Sequence, residues 1–135
     1  MNEVLQVVIE IDHLVLTVCD VAKTCEFYST ALGMEVVEFE EGGRALAFGR
    51  QKINLHEVGK EWEPGAGRPT AGSADICLVT SWPMSQLTEH FRALKIDIEI
   101  GPVPGTGAQG DIVSIYIRDP DENLIEISSY RFVDE

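Results

Sequence analysis

No stretch of this chain approaches the ~20 consecutive apolar residues that a membrane-spanning helix needs, so nothing in it reads as a membrane protein. Basic residues are scarce: 10 lysines and arginines stand against 23 acids, a formal net charge of -13. That excludes nucleic acid as a partner, because binding a polyanion depends on neutralising phosphates with Lys and Arg; the acidity reads as solubility. The opening MNEVLQVVIE carries acids where a secretion signal has a basic start, which argues against export. Cysteine is sparse as well. Cys19, Cys25 and Cys77 are odd in number and show no CxxC spacing, so they read as reduced thiols of a cytoplasmic protein rather than as a disulfide framework. Cys77 shares a strand phase with Asp75 but reads first as a packing residue. What remains is 135 residues, 44% hydrophobic and 24% charged, the make-up of one soluble globular domain over residues 1–135.

What the chain does have is a repeat. Residues 11–37, IDHLVLTVCDVAKTCEFYSTALGMEVV, read as strand, amphipathic helix, strand; residues 73–99 have the same shape 62 positions later, with Ala31-Leu32 recurring as Ala93-Leu94. Two copies of one unit pack about a pseudo-twofold axis. In the first, a strand over Ile9–Val18 places Ile11, His13, Val15 and Thr17 on one face. Asp20 caps a helix with Ala22, Cys25, Phe27, Tyr28 and Leu32 at helical spacing, and Gly33 stops it. Strands Met34–Glu40, Arg44–Phe48 and Lys52–Val58 complete a βαβββ module over 9–58. Residues 59–73, rich in Gly and Pro, are a linker. The second module, 74–131, opens with a strand over Asp75–Thr80. A helix capped by Ser81 or Ser85 follows, burying Met84, Leu87, Phe91 and Leu94. Strand Ile96–Ile100, a long turn at 101–110, and strands Val113–Arg118 and Leu124–Tyr130 complete it. The fold expected is α+β: two paired βαβββ modules whose sheets curl into an open barrel-like metal-binding cleft, helices outside.

Four residues stand out once strand phase is applied. His13 lies on the first strand of the first module and His56 on its last; Asp75 and Glu126 hold the corresponding strands of the second. Glu126 is flanked by isoleucines, where a carboxylate is costly to bury without a charged partner, and Lys52, Asn54 and His56 share one face. Two imidazoles and a carboxylate with positions left open suit a catalytic divalent metal: Zn, Fe, Mn, Ni or Co. Taken singly each has a plainer reading, His13 as a half-exposed strand histidine and Glu126 as an acid paired with Arg118 or Lys52. Joint placement favours the metal. By phase Thr17, Asn54, Ser114, Tyr116 and Arg118 face a small-molecule substrate, with Phe48 as an apolar wall. Arg118 could equally brace the Asp119-Pro-Asp turn. Trp62 and Arg68 sit in the linker, which is placed to act as a lid, and His90 reads as solvated surface.

The stretches IDHLVLTVCDV, EFYSTALGMEVV and SIYIRDPDENLIEISSY resemble the vicinal oxygen chelate superfamily, the glyoxalase/bleomycin-resistance/dioxygenase group, over roughly residues 9–131. INLHEVGKEWEPGAGRPTAGSADICLV and IEIGPVPGTGAQGDIVSIYIRDPD resemble the glyoxalase-domain-containing protein 5 type more particularly. The resemblance implies metal ligands on the first and last strands of each module: His13, His56 and Glu126 match those positions. Asp75 holds the fourth, where many relatives have histidine, as a ligand or as a proton-moving acid beside Glu126. It also implies a metal-dependent glyoxalase-like lyase or isomerase acting on a small vicinal-oxygen metabolite, the cation stabilising an oxyanion or enediolate. A metal-free, bleomycin-resistance-like binding protein and an Fe(II) ring-cleaving dioxygenase are the alternatives. Relatives of this kind are commonly dimers, so a homodimer is expected, its modules paired within one chain or exchanged between two.

Overall fold

Asp20 and Gly33 set the ends of the first helix. The Asp20 carboxylate accepts the Lys23 N–H at 3.1 Å, satisfying one of the donors a helix start leaves unpaired. At the other end Gly33 takes φ 71° and its N–H donates to the Ser29 carbonyl, a left-handed turn that glycine adopts without penalty. In the computed structural model, which describes residues 5–131, the order is β1 (His13–Val18), α1 (Val21–Leu32), β2 (Glu35–Glu38), β3 (Arg44–Phe48), β4 (Gln51–Glu57), β5 (Asp75–Val79), α2 (Met84–Ala93), β6 (Ile100–Gly107), β7 (Gly110–Arg118) and β8 (Leu124–Tyr130). Residues 1–4, part of the acidic opening discussed above, lie outside the described residues.

The strands form two four-stranded mixed sheets, ordered β1-β4-β3-β2 and β5-β8-β7-β6. In both, the outer pair is parallel and the rest antiparallel. This is the α+β arrangement of two βαβββ modules. The sheets are not closed into a barrel. Leu16, Val18, Ile53 and Leu55 of the first sheet and Ile115, Ile117, Ile125 and Ile127 of the second share one buried core with Tyr28 of α1 and Leu87 and Phe91 of α2. Helical faces thus enter a core common to both modules, and the polar faces of the sheets turn away from it. Within this chain the two modules meet through helices and apolar sheet faces.

Three further expectations are corrected. The second helix has no serine cap: it starts after Pro83, whose carbonyl accepts the Gln86 and Leu87 N–H groups and whose fixed φ suits a helix start. The sixth strand runs over Ile100–Gly107 instead of ending at Ile100, leaving only Ala108-Gln109 as its turn. Pro102 and Pro104 are tolerated there because β6 is an edge strand, where one side needs no donors. His90 is not solvated surface. Its Nε2 donates to the Ala31 carbonyl at 2.9 Å and its ring meets Trp82 edge-on at 5.2 Å, supplying a donor to one of the carbonyls that the end of α1 leaves open.

A buried network also ties the modules. The Tyr28 hydroxyl donates to Asp119 Oδ2 at 2.6 Å. Asp119 further accepts the N–H groups of Asp121 and Asn123 and the Asn123 side-chain amide, and Asn123 Oδ1 accepts the Ala74 N–H beside Asp75. Burial, and then the Asp119 charge, push the Tyr28 phenol far above its ordinary range. Above pH ~10 the unfolded chain therefore releases a proton that the folded chain keeps, so stability falls as pH rises from there. Tyr28→Phe should cost about 1.5–3 kcal/mol near neutrality, the range for a hydrogen bond to a charged group. It should also flatten the alkaline slope, as urea unfolding at pH 7 and pH 11 will check.

Candidate functional site

Alternation along the strands settles which side chains share the outer faces. Core-facing Leu14, Leu16 and Val18 leave His13, Val15 and Thr17 outward on β1, and core-facing Ile53 and Leu55 leave Lys52, Asn54 and His56 outward on β4. In the second sheet Asp75, Cys77 and Val79 face outward on β5, Glu126 and Ser128 on β8, and Ser114 and Tyr116 on β7.

Register then sets the positions of the candidate residues along the strands. His13 and Asp75 each open their strand. Glu126 pairs with Cys77, two residues beyond Asp75; the equivalent partner two residues beyond His13 is Asn54, which pairs with Val15. His56 pairs with Thr17, two residues further on, and corresponds to Ser128. His13 itself pairs with Lys52, so the imidazoles are displaced by four residues, roughly 13 Å along the strands at ~3.3 Å per residue. Asn54 Oδ1 is buried without a hydrogen-bond partner, which is unusual for a buried amide oxygen. The signal was present in the sequence: Ile53-Asn54-Leu55 matches Ile125-Glu126-Ile127 as a polar residue between two core-facing aliphatics. Among the described residues no three of His, Cys, Asp and Glu lie together as a metal would require. His13 and Asn54 lie on one sheet, Asp75 and Glu126 on the other.

The remaining residues divide. Thr17 and His56 line a cavity of about 300 Å³ roofed by linker residues Glu61, Glu63, Pro64 and Pro69, so the linker does cover this face. Trp62 stands beside His56, ring centres 6.2 Å apart, over Gly43; a Cβ on Gly43 would come within 2.7 Å of the indole. Phe48 is no wall of this face, because its phase matches Leu46 and it packs against the shared core. Arg118 makes a paired salt bridge to Glu99 and donates to the Glu122 carbonyl, so it braces the turn instead of reaching substrate. Lys52 sits over the Phe39 ring at 4.8 Å. Ser114 is buried and shares a 2.6 Å hydrogen bond with Ser128, which removes it from the accessible surface.

Glu126 is the centre of the second face. The Ser128 hydroxyl donates to it at 3.3 Å and also lies 3.1 Å from Cys77 Sγ. Loss of solvent, followed by the charge and hydrogen bonding of Glu126, raises the Tyr116 phenol above its usual range. Burial is the largest cause raising the Cys77 thiol, with Glu126 and Asp75 adding to it against an opposing hydrogen bond from Ser128. Cys77 therefore stays a neutral thiol and is a poor nucleophile.

The sequence profile of the Glyoxalase/Bleomycin resistance protein/Dioxygenase superfamily matches residues 10–127. The chain is 53% identical over 130 residues to "Virulence protein STM3117" of Salmonella typhimurium, covering 96% of this chain and 90% of that protein. The crystal structure of that protein superposes with a TM-score of 0.91, at 52% identity over 93% of this chain and all of the other. A "Glyoxalase domain-containing protein RDO1" of Mycosarcoma maydis is 53% identical over 121 residues, 90% of this chain and 68% of the fungal protein. A lactoylglutathione lyase from Agrobacterium tumefaciens shares the fold at a TM-score of 0.68 and 24% identity, over 89% of this chain and 92% of the lyase.

Proposed function

We propose that this chain, which belongs to the Glyoxalase/Bleomycin resistance protein/Dioxygenase superfamily, is a metal-dependent lyase or isomerase whose site is shared by two copies. The observation that supports this best is the matched pair of donor sets. His13 and Asn54 occupy on one sheet the positions that Asp75 and Glu126 occupy on the other. Each face offers two donors, too few for a resident cation, and the outer face of one copy set against the complementary face of another supplies four. The set fits: an imidazole, two carboxylates and an amide oxygen suit a hard or borderline divalent ion such as Zn, Ni, Mn, Fe or Co, and the orphaned Asn54 Oδ1 would gain a partner. Asp75 is then a direct ligand.

When bound, the cation supplies charge stabilisation for an oxygen that becomes anionic on the substrate, a small metabolite with neighbouring oxygens. The chain's own groups do the rest. Glu126 takes a proton from one carbon and returns it to its neighbour, as a carboxylate within reach of both can. Tyr116 stays protonated beside it and orients it. Thr17, His56 and the linker hold the remainder of the substrate and exclude water. A homodimer in a reducing cytoplasm is the matching assembly and setting.

The separation of the donors also favours a second reading, a metal-free protein that sequesters a small molecule in the cavity beneath the linker. Equilibrium dialysis of metal-stripped protein separates the two. The enzyme reading expects about one Zn, Ni, Mn, Fe or Co ion per chain in the dimer, loss of that ion in His13→Ala and Asp75→Ala, and retention in His56→Ala. Turnover is assayed first on the adduct of glutathione and methylglyoxal. Failure of every ion to bind would leave sequestration.

A further inference from the structure

Two buried serines beside Glu126 have no part in the reaction as described. Ser114 of β7 and Ser128 of β8 face each other across the antiparallel ladder. They are 1% and 0% exposed, and their hydroxyl oxygens lie 2.6 Å apart. Each hydroxyl carries one proton and can accept two more, and a proton left without an acceptor in such a place is costly.

Counting those protons fixes their direction. Among the described residues the Ser114 hydroxyl has one hydrogen-bond partner, Ser128. Ser114 therefore donates, and Ser128 accepts. Ser128 keeps its own proton for one of two neighbours, Cys77 Sγ at 3.1 Å or Glu126 Oε2 at 3.3 Å. Burial and the neighbouring acids hold Cys77 as a neutral thiol, whose sulfur is a weak acceptor. A hydrogen bond to an ionised carboxylate is roughly twice as strong as one between neutral groups, so Glu126 takes the proton.

We infer that Ser128 is a positioning residue for Glu126: its hydroxyl pins Oε2 of the carboxylate and leaves Oε1 to meet the cation and the substrate. The inference rests on the reading of Glu126 as the group that moves the proton. Strand period supplies the placement, because residues two apart on β8 share a face. The first sheet shows what is gained. There His56 stands where Ser128 does, two residues beyond Asn54, yet Asn54 Oδ1 has no partner. That amide oxygen is unheld, whereas the carboxylate is oriented before any ligand arrives, as a preorganised site requires.

Three variants test the inference. Ser128→Ala takes the donor from Glu126 and strands the buried Ser114 proton. Ser114→Ala strands nothing, because Ser128 still donates to Glu126. The double variant removes both ends of the buried bond, a change that is nearly neutral when both partners go together. In urea unfolding of metal-stripped protein at pH 7, the midpoint should fall most in Ser128→Ala, less in the double variant and least in Ser114→Ala. Ion binding should follow a different order. By equilibrium dialysis, with Zn first and then Ni, Mn, Fe and Co, the dissociation constant should rise roughly 10–100-fold in both chains that lack the Ser128 hydroxyl, the usual cost of losing a group that holds a ligand. Ser114→Ala should match the wild-type chain. The double variant thus regains stability without regaining the ion, which a merely structural role for Ser128 would not produce. Equal midpoints for the two single variants, or ion affinity that recovers together with the midpoint in the double variant, would overturn the inference. If the wild-type chain holds none of these ions, the catalytic reading fails by itself, and the urea series still decides which way the two protons point.

Discussion

Glu126→Gln should lower kcat by ~10²–10⁴-fold, the usual contribution of a positioned general base. It should do so with little loss of stability. The side chain is half-buried on β8, and glutamine keeps its volume and an oxygen to accept from Ser128. A readout independent of turnover follows from the charge. Burial raises the Tyr116 phenol first and Glu126 raises it next; removing the carboxylate removes the second cause, so the ultraviolet phenolate titration of Tyr116 should move to lower pH. A Glu126→Gln chain that keeps full kcat would assign the proton transfer elsewhere, Asp75 being the nearest candidate by position. A chain that loses activity while the Tyr116 titration stays fixed would mean that the two groups are not coupled as described.

The parts of the fold readable from the sequence were those decided locally. Asp20 and Gly33 bounded α1 through contacts within a few residues, and the alternation of Ile125, Ile127 and Glu126 gave β8 its two faces. Features decided by neighbours distant in sequence were misread. Gly and Pro at 101–107 look like a turn until the edge position of β6 removes the need for donors on one side. His90 looks solvated until the carbonyl of Ala31 is brought to it, and Phe48 looks available until the core covers it.

The candidate site divides the same way. Its faces were legible from strand period, which brought out His13, Asp75 and Glu126. The choice between Asn54 and His56 turns on parallel register, one two-residue step, which alternation cannot fix because both residues point the same way. Whether the two faces meet is a question of how modules pair, and the shared core answers it for the single chain: the apolar faces turn toward each other and the polar faces outward.

The largest effect expected is a recovery. A His13→Ala chain spoils the donor set on its first sheet and a Glu126→Ala chain the set on its second, so each homodimer has both sites defective and should be at least ~100-fold impaired. Unfolded together and refolded in equal amounts, the two chains reassort. Half the dimers are then mixed, and each mixed dimer has one site made from the intact first sheet of one chain and the intact second sheet of the other. The mixture should therefore regain about a quarter of wild-type activity and of its bound metal. Mixing the singly substituted chains is thus the most direct measurement of a shared site. Recovery near a quarter is the predicted result, and activity no higher than the average of the two separate chains would contradict it.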